Sequence, residues 1–424
     1  MYLKLLTFKE DNKMEASIWK NKDFVWLFIG RTCSQLGTSV TTFAIPWLLL
    51  ELTGSATQTG IAFAIGFVPY LLLSLPAGVW ADQYNRKLLM IISDTGRLLL
   101  LLSVALTYFI IGDIPIFLLF SIQAGISLFS AVFDAAYGAC LPNILDRSML
   151  QEGNSILQTG FSMSRIGGPV VAGFLISIVG AANTILIDVL SYAISIITIF
   201  FIHSSFSVSK TNSIKKSMFE NIREGIQYVW SIKIIRILAL FSMFVNLVGP
   251  GMDIALIYRV KNELSLASSW AGIIMAGLSC GMVVGSIVVS RFKNRFGLGT
   301  LITISTFGLA IPPFILALTT NPIILLFTQF IVGFMIVSWN IQTTTLRQSI
   351  IPDHLLGRSV SIFRLIVWVS VPLGGTAAGI ITETWGAPAF FLFAGGVLSL
   401  ILLISLFTKL NVTNETDNKT EVIS

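Results

Sequence analysis

The sequence predicts an all-α membrane protein in which twelve transmembrane helices form two pseudo-symmetric six-helix bundles. Three observations carry that expectation. About twelve apolar stretches, each close to 20 residues, run from Phe24 to Phe407 with little between them, and a helix needs roughly 20 apolar residues to cross a bilayer core of about 30 Å. The chain is 54% hydrophobic and 11% charged, whereas a soluble domain carries about 25% charged residues, so too few polar side chains exist for a water-facing surface. A single long polar break, from His203 to about Arg236, then divides the stretches six and six.

The spans of the first half are expected near 24–49, 60–80, 88–110, 115–138, 155–179 and 184–203. The first is too long for a signal-peptide core and no small-residue cleavage site follows it, which predicts an uncleaved multi-pass chain. The second ends in the polar stretch GVWADQYNRK. The fifth carries Gly168 and Pro169, where proline removes a helix hydrogen bond and can bend the span. In the polar break, Phe219, Ile222, Ile226, Val229 and Trp230 recur at helical spacing among charges, predicting an amphipathic helix on the membrane surface. The second-half spans are expected near 237–257, 269–289, 298–318, 323–345, 359–381 and 388–407. Gly277, Gly281 and Gly285 fall every four residues in the eighth, a stripe that permits close backbone approach. The domains are thus 1–203, a linker at 204–236, and 237–424.

Internal repetition supports the division. Gly168, Gly173 and Gly180 reappear, shifted by 206 residues, as Gly374, Gly379 and Gly386, and Gly78 falls one residue from the same shift at Gly285. Duplication of a six-span unit is the simplest source of that pattern. Among the 27 Lys and Arg residues, only Arg259 and Lys261 fall in connections on one side, and Arg31, Arg97, Arg165 and Arg364 fall within spans. The others share the side of the two termini, which the positive-inside rule assigns to the cytoplasm. This asymmetry accounts for the net charge of +6 without a nucleic-acid partner. Cys33, Cys140, Cys280, His203 and His354 are isolated, so no metal or other cofactor is expected. Asn411 and Asn414 match a glycosylation pattern but lie on the inner side.

Gly78, Asp82, Arg86 and Lys87, within GVWADQYNRK, resemble the inner-loop signature of the major facilitator superfamily, with Gln83 where a basic residue is usual and Asn85 where glycine is usual. SRFKNR, at 290–295, keeps the charge of the second copy without its acidic anchor. SRIGGPVVAG, with Arg165, Gly168, Pro169 and Gly173, resembles the fifth-span signature of the drug:proton antiporters. LTGSA, LPNIL and LIDVLSYAIS resemble the branch that holds macrolide-efflux proteins and the enterobactin exporter. The resemblance implies a monomeric bacterial cell-membrane transporter that exports a macrolide-like drug or metabolite by proton antiport and alternating access. A siderophore exporter or a lysophospholipid translocator is the alternative. It also implies a gate in which Asp82 caps a neighbouring helix N-terminus and Arg86 holds a carboxylate.

Polar residues fall on single faces of the spans that line the cavity in that superfamily. Gln35, Ser39, Phe43 and Trp47 are four apart in the first, and Gln123, Ser127, Ser130, Asp134 and Tyr137 alternate steps of four and three in the fourth. The seventh offers Asn246 and Asp253, and the tenth Gln329 and Asn340. A cargo-lining role and hydrogen bonding between helices are both open readings of such stripes. Their neutral and aromatic character suits a bulky amphipathic small molecule; a phosphate antiporter would be expected to show a pair of cavity arginines.

Charges inside spans cost roughly 3 kcal/mol each on insertion scales and usually have a partner or a task. Asp94 and Arg97, three apart, are expected to neutralise each other. Asp134 is expected to pair with Arg86 or Arg97 in the gate, or else to carry protons. Arg165 is expected to meet Asp134 or an anionic cargo group, Asp188 to cap or pair near the start of the sixth span, and Asp253 and Glu383 to be alternative proton carriers. No Walker loop and no Ser, His and Asp set with a hydrolase context occurs, so no enzyme is expected. A channel is disfavoured by the two-half plan and the lack of a filter motif.

Overall fold

The computed structural model of the chain describes residues 18–204, 226–292, 297–351 and 353–407. The side chains of 147, 290–292 and 353–361 lie outside the description. Beyond it too fall Phe219 and Ile222 of the expected surface helix, the end of SRFKNR, the side chain of His354, and Asn411 and Asn414.

Twelve helices are long and apolar enough to cross a membrane. They are α1 (Lys22–Thr53), α2 (Ala56–Gln83), α3 (Arg86–Ile111), α4 (Ile116–Ile144), α5 (Leu150–Val179) and α6 (Ala181–Phe200), then α7 (Lys233–Tyr258), α8 (Ser268–Phe292), α9 (Leu298–Leu318), α10 (Pro322–Ile350), α11 (Asp353–Trp385) and α12 (Ala387–Phe407). Each expected span falls on one of them. Helices α1, α2, α3 and α10 start at polar side chains that cap them rather than at the edge of the apolar window. Asn21 caps α1 by accepting from the Phe24 N–H at 3.1 Å, and Asn85 caps α3 by accepting from Lys87 N and Leu88 N. That second cap explains asparagine at the position where the family's glycine is usual, since its side chain satisfies two otherwise orphaned donors.

Two helices are interrupted. α9 breaks at Ile311, just before Pro312 and Pro313, which supply no N–H to the preceding turn and restart the helix as its first residues. α6 breaks at Ile185, and α7 continues into a π-helical turn, Arg259–Glu263. Pro169 does not break α5, which passes through it.

Within the first half α1 packs on α5 and α6, α4 on α2 and α3, and α3 on α6; in the second α7 packs on α11 and α12, α10 on α8 and α9, and α9 on α12. The two neighbour sets match under a shift of six helices. So do the contacts between bundles, α2 with α11 and α8 with α5. The repeated glycines do equivalent jobs. Gly168 and Gly374 seat their helices on α1 and α7 of their own bundles, while Gly173 and Gly379 meet α8 and α2 across the interface. Gly180 (φ 82°) and Gly386 (φ 83°) make the same left-handed turn, a conformation glycine adopts without steric penalty.

The glycine stripe on α8 is a packing surface. A Cβ on Gly277 or Gly285 would stand 2.7 or 2.9 Å from the carbonyl oxygens of Leu326 and Phe334 on α10, one on Gly281 would collide with Phe330 O, and one on Gly333 would collide with Leu278 O. The outer belt is apolar, with Phe109 88%, Phe117 81% and Leu318 82% exposed, as a lipid-facing surface requires. In the short helix at 226–231, Val229 is buried against the second bundle while Ile226 and Trp230 are each 45% exposed.

Candidate functional site

The helices have a basic end, where α1, α3, α7 and α11 begin, and an opposite end holding the turns after α1, α5, α7 and α11. At the opposite end the bundles are clasped. Glu383 at the end of α11 accepts from Ser55 Oγ (2.6 Å) and from the Thr57 N–H (2.7 Å) at the start of α2. Lys261 Nζ donates to Trp47 O at 3.1 Å and lies 4.9 Å from the Trp47 ring centre. Ser268 Oγ donates to Gly173 O at 2.8 Å, and backbone approaches too tight for a Cβ join Gly60 to Gly375 and Gly272 to Pro169. The antiporter-like stretch in α5 thus forms bundle interface at this end.

The basic end of α2 is uncovered. A Cβ on Gly78 would have no neighbour within 4 Å among the described residues, and the Asp82 side chain is 77% exposed. Among the described residues Asp82 caps no helix and reaches Arg86 only at 3.8 Å. Arg86, expected to hold a carboxylate, instead donates to Ala81 O, Ala139 O and Asn143 Oδ1, the last two at 2.8 and 2.9 Å, tying α3 to α4. Lys87 Nζ donates to Phe200 O and Ile202 O at 2.9 and 2.7 Å; a cation suits the negative end of α6. Among the described residues the helix-capping carboxylate between bundles is therefore Glu383, at the other end of the molecule from Asp82.

The buried charges of the first bundle form a connected set. Asp94 pairs with Arg97 as expected from their spacing and also accepts from Ser195 Oγ at 2.6 Å. The Arg97 guanidinium lies 4.5 Å from the ring centres of both Phe133 and Tyr192. Asp134 pairs with neither Arg86 nor Arg97 nor Arg165. Its cation is Arg31, at 3.1 Å, and Tyr70 Oη donates to its second oxygen at 3.1 Å. Arg31 also lies over Tyr137, 4.6 Å from the ring centre, which makes Tyr137 a flank of this ion pair. Depth carries the missed signal. Arg31 and Asp134 are each about 14 Å from the basic ends of α1 and α4 at 1.5 Å per residue, whereas Arg97, at similar depth, is already neutralised within α3. Arg165 is exposed, and the charge opposite it across the interface is Asp253 of α7.

Two cavities flank the interface. One, about 320 Å³, lies within the first bundle between α1, α2, α4 and α6, and Gln123, Ser127 and Ser130 line it as expected, with Phe67, Tyr70 and Asp188. Ser127 also accepts from the Tyr70 N–H at 2.8 Å, so cavity lining and interhelical bonding coexist in one side chain. Asp188 does not cap its span: it is buried and accepts from Ser191 Oγ at 2.9 Å. Gly37 leaves the room for it, since a Cβ there would lie 2.5 Å from Asp188 Oδ1. From α1 the lining residues are Thr38, Thr41, Thr42, Ile45, Pro46 and Leu49, a different face from the expected stripe. Gln35, Ser39, Phe43 and Trp47 line neither cavity: Ser39 seats Gly168 of α5, and Phe43 and Trp47 are buried and stacked with ring centres 6.2 Å apart.

The second cavity, about 300 Å³, lies between α7, α10 and α11, and Asn246 and Asn340 line it as expected. Gln329 does not; it is buried at 1% exposure. Arg347, Arg364, Trp339 and Trp368 complete the walls. Arg347 escaped the sequence reading because hydropathy ended the tenth span at 345, while the helix runs to Ile350 and carries Arg347 inside it. Trp368 touches Phe67 and Tyr70 of the first cavity, with ring centres 5.8 and 6.2 Å apart, so an aromatic contact partitions the two spaces.

Residues 16–422 match the family model described as transmembrane secretion effector. The multidrug efflux pump Tap of Mycolicibacterium fortuitum is 28% identical over 88% of this chain and 92% of its own length. Macrolide efflux protein A of Streptococcus pyogenes is 24% identical, over 91% and 95% respectively. Among solved structures, a bacterial homologue of the iron transporter ferroportin in an inward-facing state superposes with a TM-score of 0.75 at 15% identity, over 93% of this chain and all of that one.

Proposed function

The chain belongs to the transmembrane secretion effector family of the major facilitator superfamily, and from that premise we propose that it is a secondary transporter exporting a lipophilic or amphipathic small molecule. The observation that carries the reading is a pair of facing cavities, one per bundle, between a clasped end and an uncovered one. The positive-inside rule puts the uncovered basic end in the cytoplasm, so the bundles stand ready to take up cargo from within. The named efflux relatives support outward transport of drug-like molecules.

Alternating access then requires the clasp at Glu383 and Lys261 to release while the basic ends close. Asp82, held here only by Arg86 at 3.8 Å among the described residues, gains a partner on the other bundle in the other state. The proposed driving force is proton antiport, with Asp134, Asp188 and Asp253 as the membrane-embedded carboxylates in reach of the cavities or the interface. The deciding experiment is expression in a drug-hypersensitive bacterial strain challenged with lipophilic compounds and siderophores. Wild type should raise tolerance to at least one compound class, Asp82→Asn should not, and collapse of the proton gradient should stop efflux. Tolerance equal to that of the empty vector across the panel would sink the export reading.

A further inference from the structure

The second cavity holds positive charge and hydrogen-bond donors that the described residues engage only in part. Arg364 makes no hydrogen bond or ion pair among the described residues; its guanidinium carbon lies 4.1 Å from the Trp368 ring centre. Arg347 gives Nε to Thr343 O and one terminal nitrogen to Thr344 Oγ1, and it stacks 3.8 Å from the Phe363 ring centre. Its other terminal nitrogen is unclaimed. No carboxylate stands among the described residues lining this cavity. Guanidinium N–H groups are donors only, and Arg364, an exposed side chain, keeps its donors open to a ligand. The set is thus complementary to an acceptor that the chain itself does not supply.

Resting on the export reading above, we infer that this cavity is an anion subsite, in which Arg364 and Arg347 bind the carboxylate or phosphate of an amphipathic cargo whose apolar body crosses Trp368 into the neighbouring cavity. A guanidinium fork matches such groups two bonds at a time. The cavity's 300 Å³ admits the head of a drug-sized molecule, and the adjoining 320 Å³, walled by Phe63, Phe67 and Ile45, admits the remainder. A purely structural role for the arginines, anchoring the basic end of the bundle, leaves Arg364 pointing no donor at anything.

The test is equilibrium binding to the full chain in lipid nanodiscs, with pyrene butyric acid and its uncharged amide as probes and empty nanodiscs subtracted. Wild type should bind the acid at least about tenfold more tightly than the amide, an advantage of the size that charge-assisted hydrogen bonds supply. Arg364→Gln should erase that preference and leave amide binding within about twofold, as a lost charge contact with intact packing requires. Arg364→Lys, which keeps the charge, should retain acid over amide and shows that the position tolerates change. Equal affinities in wild type, or equal weakening of both probes by Arg364→Gln, would overturn the subsite. Displacement of the acid by excess lysophosphatidylglycerol supports the subsite with a lipid headgroup as the anion's source, and displacement by soluble aromatic acids alone supports it with a free cargo. Chain-dependent efflux of the amide without acid preference sinks the subsite and spares the export reading, whereas no chain-dependent efflux of any compound sinks the latter.

Discussion

Arg97 and Asp94, with side chains 3% and 0% exposed, show how single residues hold this protein together. Each is tolerable in a membrane because the other is beside it. Removing one partner strands the other, so Asp94→Asn or Arg97→Gln alone should destabilise the fold by about 3–5 kcal/mol, the range for a broken buried pair. The double variant should recover most of that, and thermal unfolding of the purified chain reads both. Asp82 is the opposite case. Exposed, and reaching only Arg86 at 3.8 Å among the described residues, it should tolerate Asn with stability unchanged within about 0.5 kcal/mol, as surface positions do, while efflux falls. A matching loss of stability would mean that Asp82 braces this state after all. The Asp94 and Arg97 pair was legible in the sequence because it is local to one helix. The pairing of Asp134 with Arg31 was not, because two residues 103 positions apart meet only through the packing of α1 on α4.

At the scale of elements, the carbonyl contacts of α8 with α10 explain why glycine recurs every four residues where hydropathy alone would accept any apolar side chain. Gly281→Leu forces the helices apart against a backbone oxygen rather than a flexible side chain, and should cost at least the 1–3 kcal/mol typical of overpacking. Folded yield after membrane extraction measures it, with Gly396→Leu as the control, since a Cβ at Gly396 has no neighbour within 4 Å. The periodicity exposed this contact in advance because both partners follow the helical repeat. The α1 stripe misled for a related reason. A row of polar and aromatic residues identifies a face but not its neighbour, and α5 with the opposite-end clasp, rather than a cavity, covers that one.

For the whole molecule, the proposed exchange of access starts from one clasped end and one end that no described residue covers. In a background lacking Cys33, Cys140 and Cys280, Ser55→Cys with Glu383→Cys places two thiols on facing turns of α2 and α11, joined now by a 2.6 Å side-chain bond, where a short bis-methanethiosulfonate reagent can bridge them. Crosslinking should arrest efflux and reductant should restore it. Full efflux with the crosslink formed would show that this end never opens. The sequence by itself determined that twelve helices cross a bilayer as two related sets of six, because apolar length, charge asymmetry and glycine repeats are properties of the chain read in order. Only the tertiary structure decided which charges meet, which faces surround the cavities, and that the arginines of α10 and α11 turn toward a common space. Those outcomes depend on the rotation and depth of each helix against its neighbours, and helices that satisfy their own backbones leave both to side-chain packing.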